Sequence, residues 1–334
     1  MNQQESKKLE DKLLEILKTY LLRKSTIILG VSGGPDSIFL LYILQKLIKT
    51  HPVKIIIAHV NHMLRGIESN LDEKFIKALA KEENHTVHIL KKDIGKLSKT
   101  LGKGLEETGR EIRYEFFKEL ARKNKANYII TAHQADDNLE TVIMNLVRGA
   151  SMKGLSGMKD VEKLSKNLKL LRPLLNISKK QIMDYLKTKK IPFRIDKSNK
   201  DTVYRRNFIR HKIIPSLKKL NPNLVDTVAK NTKHFREIIK LLEEKAVSWL
   251  NKNSLNKTFT KFGVKSFRKQ PKTLQKEIIL RLYEKIIGNT KDIETPHIDE
   301  VLKIINSGLG NKEKRLGKLL FRIKNNILDI SKSN

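Results

Sequence analysis

Short apolar runs alternate with segments of helical periodicity along the first part of the chain. The apolar runs are typical of buried strands, and they cover residues 26–31, 53–59, 86–90 and 127–131. The periodic segments predict helices over residues 10–22, 37–50, 69–84, 105–125 and 136–148. Strands and helices that alternate at this spacing predict a Rossmann-like parallel sheet with helices on both faces.

The pattern becomes mainly helical after Pro215. Apolar residues at helical spacing predict helices over 224–250, 274–287 and 297–305. The tail over 316–330 has Asn325 and Asn326 between two apolar stretches, which predicts a hairpin. We therefore expect a smaller, mainly helical domain with a terminal hairpin.

Two domains are expected, because the 334 residues exceed what one hydrophobic core usually covers. The predicted first domain spans residues 1–216, with an N-terminal helix within 1–23. The second spans 217–334 and is basic. The polar segment 149–169 carries glycines and predicts a mobile connection rather than a core element.

The segment 27–37, IILGVSGGPDS, carries the most informative motif. An apolar strand runs into a glycine turn that opens a helix, so close backbone approach and free amides predict a phosphate site. The Walker lysine is absent, and the loop is not a dinucleotide fingerprint. An ordinary Gly-Pro turn is the alternative. In the predicted nucleotide-binding loop of Ser32, Gly33, Gly34, Pro35, Asp36 and Ser37, the serines add hydroxyl donors and Asp36 supplies a carboxylate that can reach Mg²⁺ or a nearby donor.

A second motif, TAHQADDNLET over 131–141, places carboxylates in the first turn of a helix that follows a strand. Asp137 and Glu140 are three residues apart and share a face, so they can hold Mg²⁺ or an amino group. The alternative is helix capping, which favours acids at a helix start. We assign Asp136 to capping, and Asp137 with Glu140 to function.

Further polar residues follow the predicted strand that ends at residue 59. His62 and Arg65 can meet phosphate or base there, although a structural histidine is the commoner case. Arg110 and Arg113, in EETGREIRYE, lie on neighbouring helical turns. Arginines so placed can clamp phosphates bidentately, or they can belong to an ion-paired helix face.

A basic segment, RRNFIRHKIIP over 205–215, sets cationic residues beside an apolar stripe. Contact with a polyanion is the predicted use of its four basic residues and its histidine. The apolar positions Phe208, Ile209, Ile213 and Ile214 are interpreted as core.

Charge favours an anionic partner. The net charge is +33, from 69 Lys and Arg against 36 Asp and Glu, which creates a field that attracts nucleic acid. The alternative is that an AT-rich genome inflates lysine everywhere.

The absence of cysteine and of long apolar stretches excludes several classes of site and of protein. Without cysteine, disulfides, cysteine-ligated zinc, iron–sulfur clusters and thiol nucleophiles are excluded. The sequence has no membrane-length apolar stretch and no signal peptide, so a cytoplasmic protein without a membrane partner is expected.

Five motifs, which follow one another along the chain, resemble those of the bacterial tRNA(Ile)-lysidine synthetases of the PP-loop ATP pyrophosphatase superfamily. They are SGGPDS, VNHMLRG, EExGRxxRY, TAHQADDNxET and RRNFIRHxIIP, and the resemblance covers about residues 24–220. Segment 265–271 resembles that family's C-terminal domain more loosely. The chain resembles the shorter members, which lack a further C-terminal domain.

The resemblance implies a PP-loop fold and a two-step ligation. ATP would adenylate the 2-carbonyl oxygen of the wobble cytidine in the isoleucine tRNA with a CAU anticodon, releasing pyrophosphate. Free L-lysine would then displace AMP and give lysidine, which pairs with A instead of G. ATP and Mg²⁺ are the implied substrate and cofactor, and the basic C-terminal domain is expected to contact the tRNA.

The resemblance also implies residue roles, with every position numbered in this sequence. The implied catalytic residues are Asp36, Arg113, Asp137 and Glu140. The implied ATP-binding residues are the loop 32–37, His62 and His133. The implied contacts to tRNA or ATP are Arg65, Arg206, Asn207, Arg210 and His211. Asp36 and Asp137 are the candidate Mg²⁺ ligands.

Some alternatives stay open. An ammonia-dependent synthetase of the NAD type and a non-catalytic tRNA-binding protein both fit parts of the pattern. Sulfur-inserting and glutaminase-fed relatives work through cysteine, which this chain lacks. The sequence does not decide which carboxylate takes the lysine proton, or whether the protein is a homodimer.

Overall fold

A computed structural model describes residues 1–64, 66–194, 205–290, 293–307 and 311–333. The chain divides into two compact units, Met1–Lys233 and His234–Asn334.

The first unit is built on a six-stranded sheet in the order β3-β2-β1-β4-β6-β5. All neighbouring pairs are parallel except β5 with β6. The predicted Rossmann-like parallel sheet is confirmed. Its strands are β1 (Thr26–Gly30), β2 (Lys54–Asn61), β3 (Thr86–Lys91), β4 (Tyr128–Ile130), β5 (Val161–Lys163) and β6 (Lys169–Leu171).

One helix precedes these strands, others connect them or follow the last of them, and the final one continues into the second unit. Before β4 they are α1 (Gln3–Tyr20), α2 (Pro35–Ile48), α3 (Ile67–Glu82), α4 (Ile94–Leu101) and α5 (Leu105–Lys123). After β4 they are α6 (Ala135–Val147), α7 (Met152–Leu155), α8 (Lys179–Thr188), α9 (Arg205–Phe208), α10 (Ile214–Leu220) and α11 (Leu224–Asn253). A π-helical turn, Ile209–Ile213, joins α9 to α10.

Alternating side chains of β1 enter different cores on the two faces of the sheet. Ile27 and Leu29 pack in the core that includes residues of α1, α2 and α8. Ile28 packs in the opposite core with Phe117 and Leu120 of α5. A strand buried on both faces has no polar side, which is why 26–31 is a continuous apolar run rather than an alternating one.

The parallel strands bring their carboxyl ends to one edge of the sheet. Strand order runs outward from β1 through β2 to β3, and in the other direction through β4 to β6. The crevice between β1 and β4 is therefore the switch point at which open parallel sheets bind ligands. Helices α2 and α6 begin at this crevice, directly after β1 and β4.

The segment 149–169, predicted to be a connection rather than a core element, contributes to the sheet. It contains α7, β5 and the first residue of β6, and Met158 within it is buried. The Met158 amide donates to Asn138 Oδ1 at 2.8 Å, which ties the segment to α6. Strands β5 and β6 are each three residues long, which is too short for an alternation of apolar and polar residues to be recognised in the sequence.

The second unit has its own core and a four-stranded antiparallel sheet in the order β7-β10-β9-β8. Trp249 stacks on Phe262 and meets Phe267 edge-on, each at 5.6 Å between ring centroids. Its helices are α12 (Val264–Arg268), α13 (Lys272–Ile287) and α14 (Thr295–Asn306). Its strands are β7 (Lys261–Gly263), β8 (Lys312–Leu316), β9 (Leu319–Lys324) and β10 (Ile327–Lys332).

The predicted terminal hairpin is the β9–β10 pair. Asn325 and Asn326 both have positive φ, 50° and 59°, as a two-residue type I′ turn requires. Across the described ranges, no helix combines the length and apolar composition that crossing a bilayer demands.

Gly157→Ala should destabilise the protein more than Gly102→Ala. Both glycines have positive φ, 67° and 60°, so alanine is strained at each. A Cβ at Gly157 would also collide with the Asn138 amide, whereas at Gly102 it meets no described atom within 4 Å. We expect losses of about 3 kcal/mol for Gly157→Ala and about 1 kcal/mol for Gly102→Ala in urea unfolding. Equal losses would contradict the proposed packing of residue 157 on Asn138.

Candidate functional site

The glycine loop after β1 is held in shape by its own hydroxyl groups. The Ser32 amide donates to Ser37 Oγ at 3.2 Å, and Ser37 Oγ donates to the Gly34 carbonyl at 3.0 Å. Gly33 has φ of 86°, a conformation that a side chain rarely adopts. The amides of Asp36 and Ser37 lie in the first turn of α2, where the helix offers them no acceptor. This arrangement suits a phosphate group.

Arg194, which lies far along the chain, contacts the glycine loop and stabilises its conformation. Its amide donates to the Gly33 carbonyl at 3.0 Å. Its guanidinium pairs with Asp72 and, at 2.8 Å, with Glu68 on α3. The loop is thereby tied to α3 through a residue distant in sequence. No motif marks Arg194, and sequence reasoning missed it.

Asp36 is paired with Lys179, the first residue of α8. Lys179 Nζ lies 2.8 Å from both Asp36 carboxylate oxygens. Burial raises the pKa of Asp36, although Lys179 and Arg210 act in the opposite direction. The segment that follows β6 therefore also contributes to the site, through Lys179. None of the sequence motifs contains this residue.

The roles predicted for the acids at the start of α6 are partly wrong. The N-cap is Gln134, whose side chain accepts from the Asp136 amide at 2.6 Å. The reciprocal contact is made by Asp137, because the Gln134 amide donates to Asp137 Oδ2 at 3.1 Å. The Asp136 carboxylate caps nothing on α6. It accepts from the Lys179 amide at 2.8 Å and from Lys218 Nζ at 3.1 Å.

Glu140 is a buried carboxylate held by two arginines. Arg206 Nε donates to its Oε2 at 2.7 Å, and Arg210 Nε donates to its Oε1 at 2.5 Å. The Glu140 side chain is 2% exposed, so both oxygens are removed from water and committed to these bonds. Glu140 raises the pKa of Arg206 and Arg210, since the carboxylate stabilises their charge against burial.

Asp137 lies beside this cluster with looser contacts. Its Oδ1 is 3.4 Å from Arg210 Nη2 and 3.5 Å from Arg206 Nη2. Burial raises the pKa of Asp137 to about 6, with Glu140 and Asp36 adding to the increase and Arg206 opposing it. An acid with such a pKa can accept a proton near neutral pH.

Arg113 and the two predicted histidines lie at the same edge of the sheet. Arg113 Nη2 is 3.4 Å from His62 Nε2, and burial lowers the pKa of Arg113. Among the described residues, no carboxylate forms an ion pair with Arg113. His133 Nδ1 lies 2.9 Å from Thr131 Oγ1, and burial with nearby arginines holds the pKa of His133 well below its usual range. His133 is therefore neutral.

The basic segment divides between the site and the surface. Arg206 and Arg210 point at the acids of α6, whereas Asn207 is half-buried and His211 is exposed. Ile209 and Ile214 are buried and Ile213 is partly buried, as predicted. The prediction that Phe208 belongs to the core is wrong, since its side chain is 47% exposed. The predicted contact Arg65 lies outside the described residues.

The carboxylates fit Mg²⁺ only if ATP supplies further oxygens. Within the described part of the chain, no three acidic or histidine side chains form a metal-binding group. Mg²⁺ at nucleotide sites is commonly held by one or two carboxylates together with phosphate oxygens and water. Asp36, at the phosphate loop, fits this mode, and Asp137 faces the same crevice.

The chain matches a known domain family and is similar to proteins of known name. The PP-loop domain family matches residues 5–217. The tRNA(Ile)-lysidine synthase of Bacillus cereus strain ATCC 10987 is 36% identical, over 85% of this chain and 60% of the relative. The tRNA(Ile)-lysidine synthase of Clostridioides difficile strain 630 is 30% identical, over 93% of this chain and 68% of the relative.

A solved structure supports the fold alone. The U34-tRNA thiolase NcsA of Methanococcus maripaludis superposes with a TM-score of 0.58 at 18% identity, covering 70% of this chain and 81% of that chain. The chain spans 60% to 64% of the length of the first curated relatives that it matches.

Glu140→Gln should destabilise the protein much more than Asp137→Asn. The first change leaves two half-buried guanidinium groups without their carboxylate, at a cost of about 3 kcal/mol. The second keeps an acceptor for the Gln134 amide and removes a carboxylate whose charged form burial disfavours, so we expect a change within about 1 kcal/mol. Urea unfolding at pH 7 measures both. A small loss for Glu140→Gln would mean that the cluster is not a stabilising centre.

Proposed function

This chain belongs to the tRNA(Ile)-lysidine synthase family, and we propose that it ligates free L-lysine to carbon 2 of the wobble cytidine in tRNA(Ile) with a CAU anticodon. ATP activates the cytidine, and pyrophosphate and AMP are released. The observation that carries the proposal is the convergence of the phosphate loop with Asp137 and Arg113 at one sheet edge. The product changes the decoding of the tRNA from Met to Ile.

In the first step the ATP phosphates lie at the loop of residues 32–37. The free amides of the first turn of α2 donate to phosphate oxygens, and the Ser32 and Ser37 hydroxyls add donors by turning away from their contacts within the loop. The cytidine 2-oxygen attacks the α-phosphorus as the bond to pyrophosphate breaks. Arg113, which has no carboxylate partner among the described residues, stabilises the charge that develops on the α-phosphate.

Mg²⁺ accompanies ATP, and Asp36 is the residue best placed to hold it. When bound, the ion neutralises charge on the phosphates and on the leaving pyrophosphate. Asp137, the other predicted ligand, lies across the crevice from Asp36 and is instead proposed to take a proton in the second step.

In the second step the lysine amine attacks carbon 2 of the cytidine, and AMP leaves with the bonding electrons. An amine with an ordinary pKa near 10.4 is protonated at neutral pH and must lose protons as the C–N bond forms. Asp137 is the proposed acceptor, because its pKa of about 6 leaves it mostly ionised at pH 7 yet basic enough to take a proton. Glu140 instead holds Arg206 and Arg210 in place.

We propose that the tRNA contacts the basic segment that includes His211, and that the basic C-terminal unit also contributes contacts to the tRNA. A net charge of +33 supports a polyanionic substrate. Phe208 is exposed within this basic segment and offers a ring on which a base can stack.

The direct test is to incubate the protein with tRNA(Ile) transcript, ATP, Mg²⁺ and labelled lysine, and then weigh the wobble nucleoside. Lysidine should form, and pyrophosphate release should require the tRNA. Ligation of ammonia in place of lysine would support an ammonia-dependent synthetase instead. Binding of tRNA without pyrophosphate release would indicate a non-catalytic binder.

Asp137→Asn should abolish lysine incorporation and leave the affinity for tRNA within a few-fold. The amide cannot accept the amine proton, while the surface that meets the tRNA is unchanged. Lysidine formation and gel-shift titration give the two readouts. Turnover at the wild-type rate in this variant would remove Asp137 from the proposed mechanism.

Lysine ligation should depend on pH through Asp137, whereas adenylation should not show the same dependence. Below about pH 6 the Asp137 carboxyl is protonated and cannot accept a proton, so the ligation rate should fall about tenfold per pH unit. Pyrophosphate release without lysine serves as the control. A ligation rate that stays flat from pH 7 to pH 5 would contradict the assignment.

A further inference from the structure

We propose that Lys179 is an ATP-contacting residue, whose ammonium group leaves Asp36 and binds phosphate oxygens when ATP occupies the loop of residues 32–37. The inference rests on the proposed function, because it takes ATP as the ligand of that loop. It deepens that function by naming a phosphate contact that none of the sequence motifs contains.

The first supporting observation is position. Lys179 Nζ lies 2.8 Å from both carboxylate oxygens of Asp36, the second residue of α2. The amides of Asp36 and Ser37 are those that face a bound anion in the first turn of α2. A change of the Lys179 side-chain conformation alone would therefore bring its ammonium group to phosphate bound at this loop.

The second observation is that the backbone of Lys179 is fixed while its side chain has room to move. Its amide donates to Asp136 Oδ2 at 2.8 Å, and the neighbouring Ser178 caps α8. The Lys179 side chain is nevertheless 40% exposed. An anchored backbone with a partly exposed side chain suits a contact that changes partner without a movement of the fold.

The third observation is the absence of a lysine from the loop itself. In Walker loops a lysine follows the glycines and reaches the terminal phosphates as a point charge. Here Pro35, Asp36 and Ser37 follow the glycines. Lys179, on the helix that follows β6, instead brings a lysine ammonium group to Asp36 of this loop.

Competition at Asp36 explains why the exchange is favourable. In the ligand-free protein the ammonium group compensates a carboxylate that burial disfavours. Asp36 would hold the Mg²⁺ that accompanies ATP with the same oxygens, and the phosphates would then offer the Lys179 ammonium group a more negative partner. Arg206 and Arg210 are less free to move, because buried Glu140 holds both.

Direct measurement of ATP binding tests the inference. Equilibrium dialysis with labelled ATP, with and without Mg²⁺, would compare Lys179→Ala, Lys179→Arg and the wild type. Lys180→Ala is the matched control, because Lys180 is the next residue of α8 and is exposed. We expect Lys179→Ala to weaken ATP binding about tenfold or more, and Lys179→Arg and Lys180→Ala to stay within threefold of the wild type. Circular dichroism would show that each variant is folded.

A double-mutant cycle separates a direct contact from an indirect effect. Lys179→Ala also leaves Asp36 uncompensated, and that charge alone would repel phosphate. In the Asp36→Asn background this repulsion is absent. A direct contact predicts that Lys179→Ala still weakens Mg²⁺-free ATP binding in that background, about fivefold or more. No further loss would overturn the inference and make Lys179 only a partner of Asp36.

The remaining outcomes distinguish this inference from the proposed function. If the wild type binds ATP and Lys179→Ala binds it equally well or more tightly, the inference is overturned and the function stands. If the wild type binds no ATP, both fail.

Discussion

The parallel pairing of β1 with β2 on one side and β4 on the other is the constraint on which the rest of the structure depends. Because β1 is buried on both faces, Ile27, Ile28 and Leu29 are held in fixed register with β2 and β4. That register places the start of α2 and the start of α6 on either side of one crevice. The phosphate loop and the acids of α6 then face each other without any direct link between their sequences.

Charge compensation is the second consequence of that arrangement. Helix starts favour acids, so the crevice collects the carboxylates of Asp36, Asp136 and Asp137, and Glu140 lies one turn further along α6. Buried carboxylates are costly unless they are paired, and the chain supplies Lys179, Lys218, Arg206 and Arg210. Glu140 is the most completely paired and Asp137 has the longest contacts. This difference suits one acid to holding the site together and the other to moving a proton.

Sequence reasoning was most accurate where an element is long or a motif is local. The strand over 26–31, the helix after it and the hairpin at Asn325 depend on neighbours in sequence, so their patterns predicted them. Lys179 and Arg194 reach the loop only through tertiary contacts, and nothing near them in sequence shows this. Asp136 was assigned to capping because helix starts generally favour acids. Its carboxylate instead accepts from the amide of Lys179, a contact that the local sequence does not show. The short strands β5 and β6 lacked enough residues to show a period.

The central claim is that the loop of residues 32–37 binds the phosphates of ATP at the crevice between β1 and β4. A crystal structure of the protein with Mg²⁺ and a non-hydrolysable ATP analogue tests it most directly. The account predicts phosphate oxygens within hydrogen-bond distance of the Asp36 and Ser37 amides, with Arg113 near the α-phosphate. A nucleotide bound elsewhere, with this loop unchanged and empty, would contradict it.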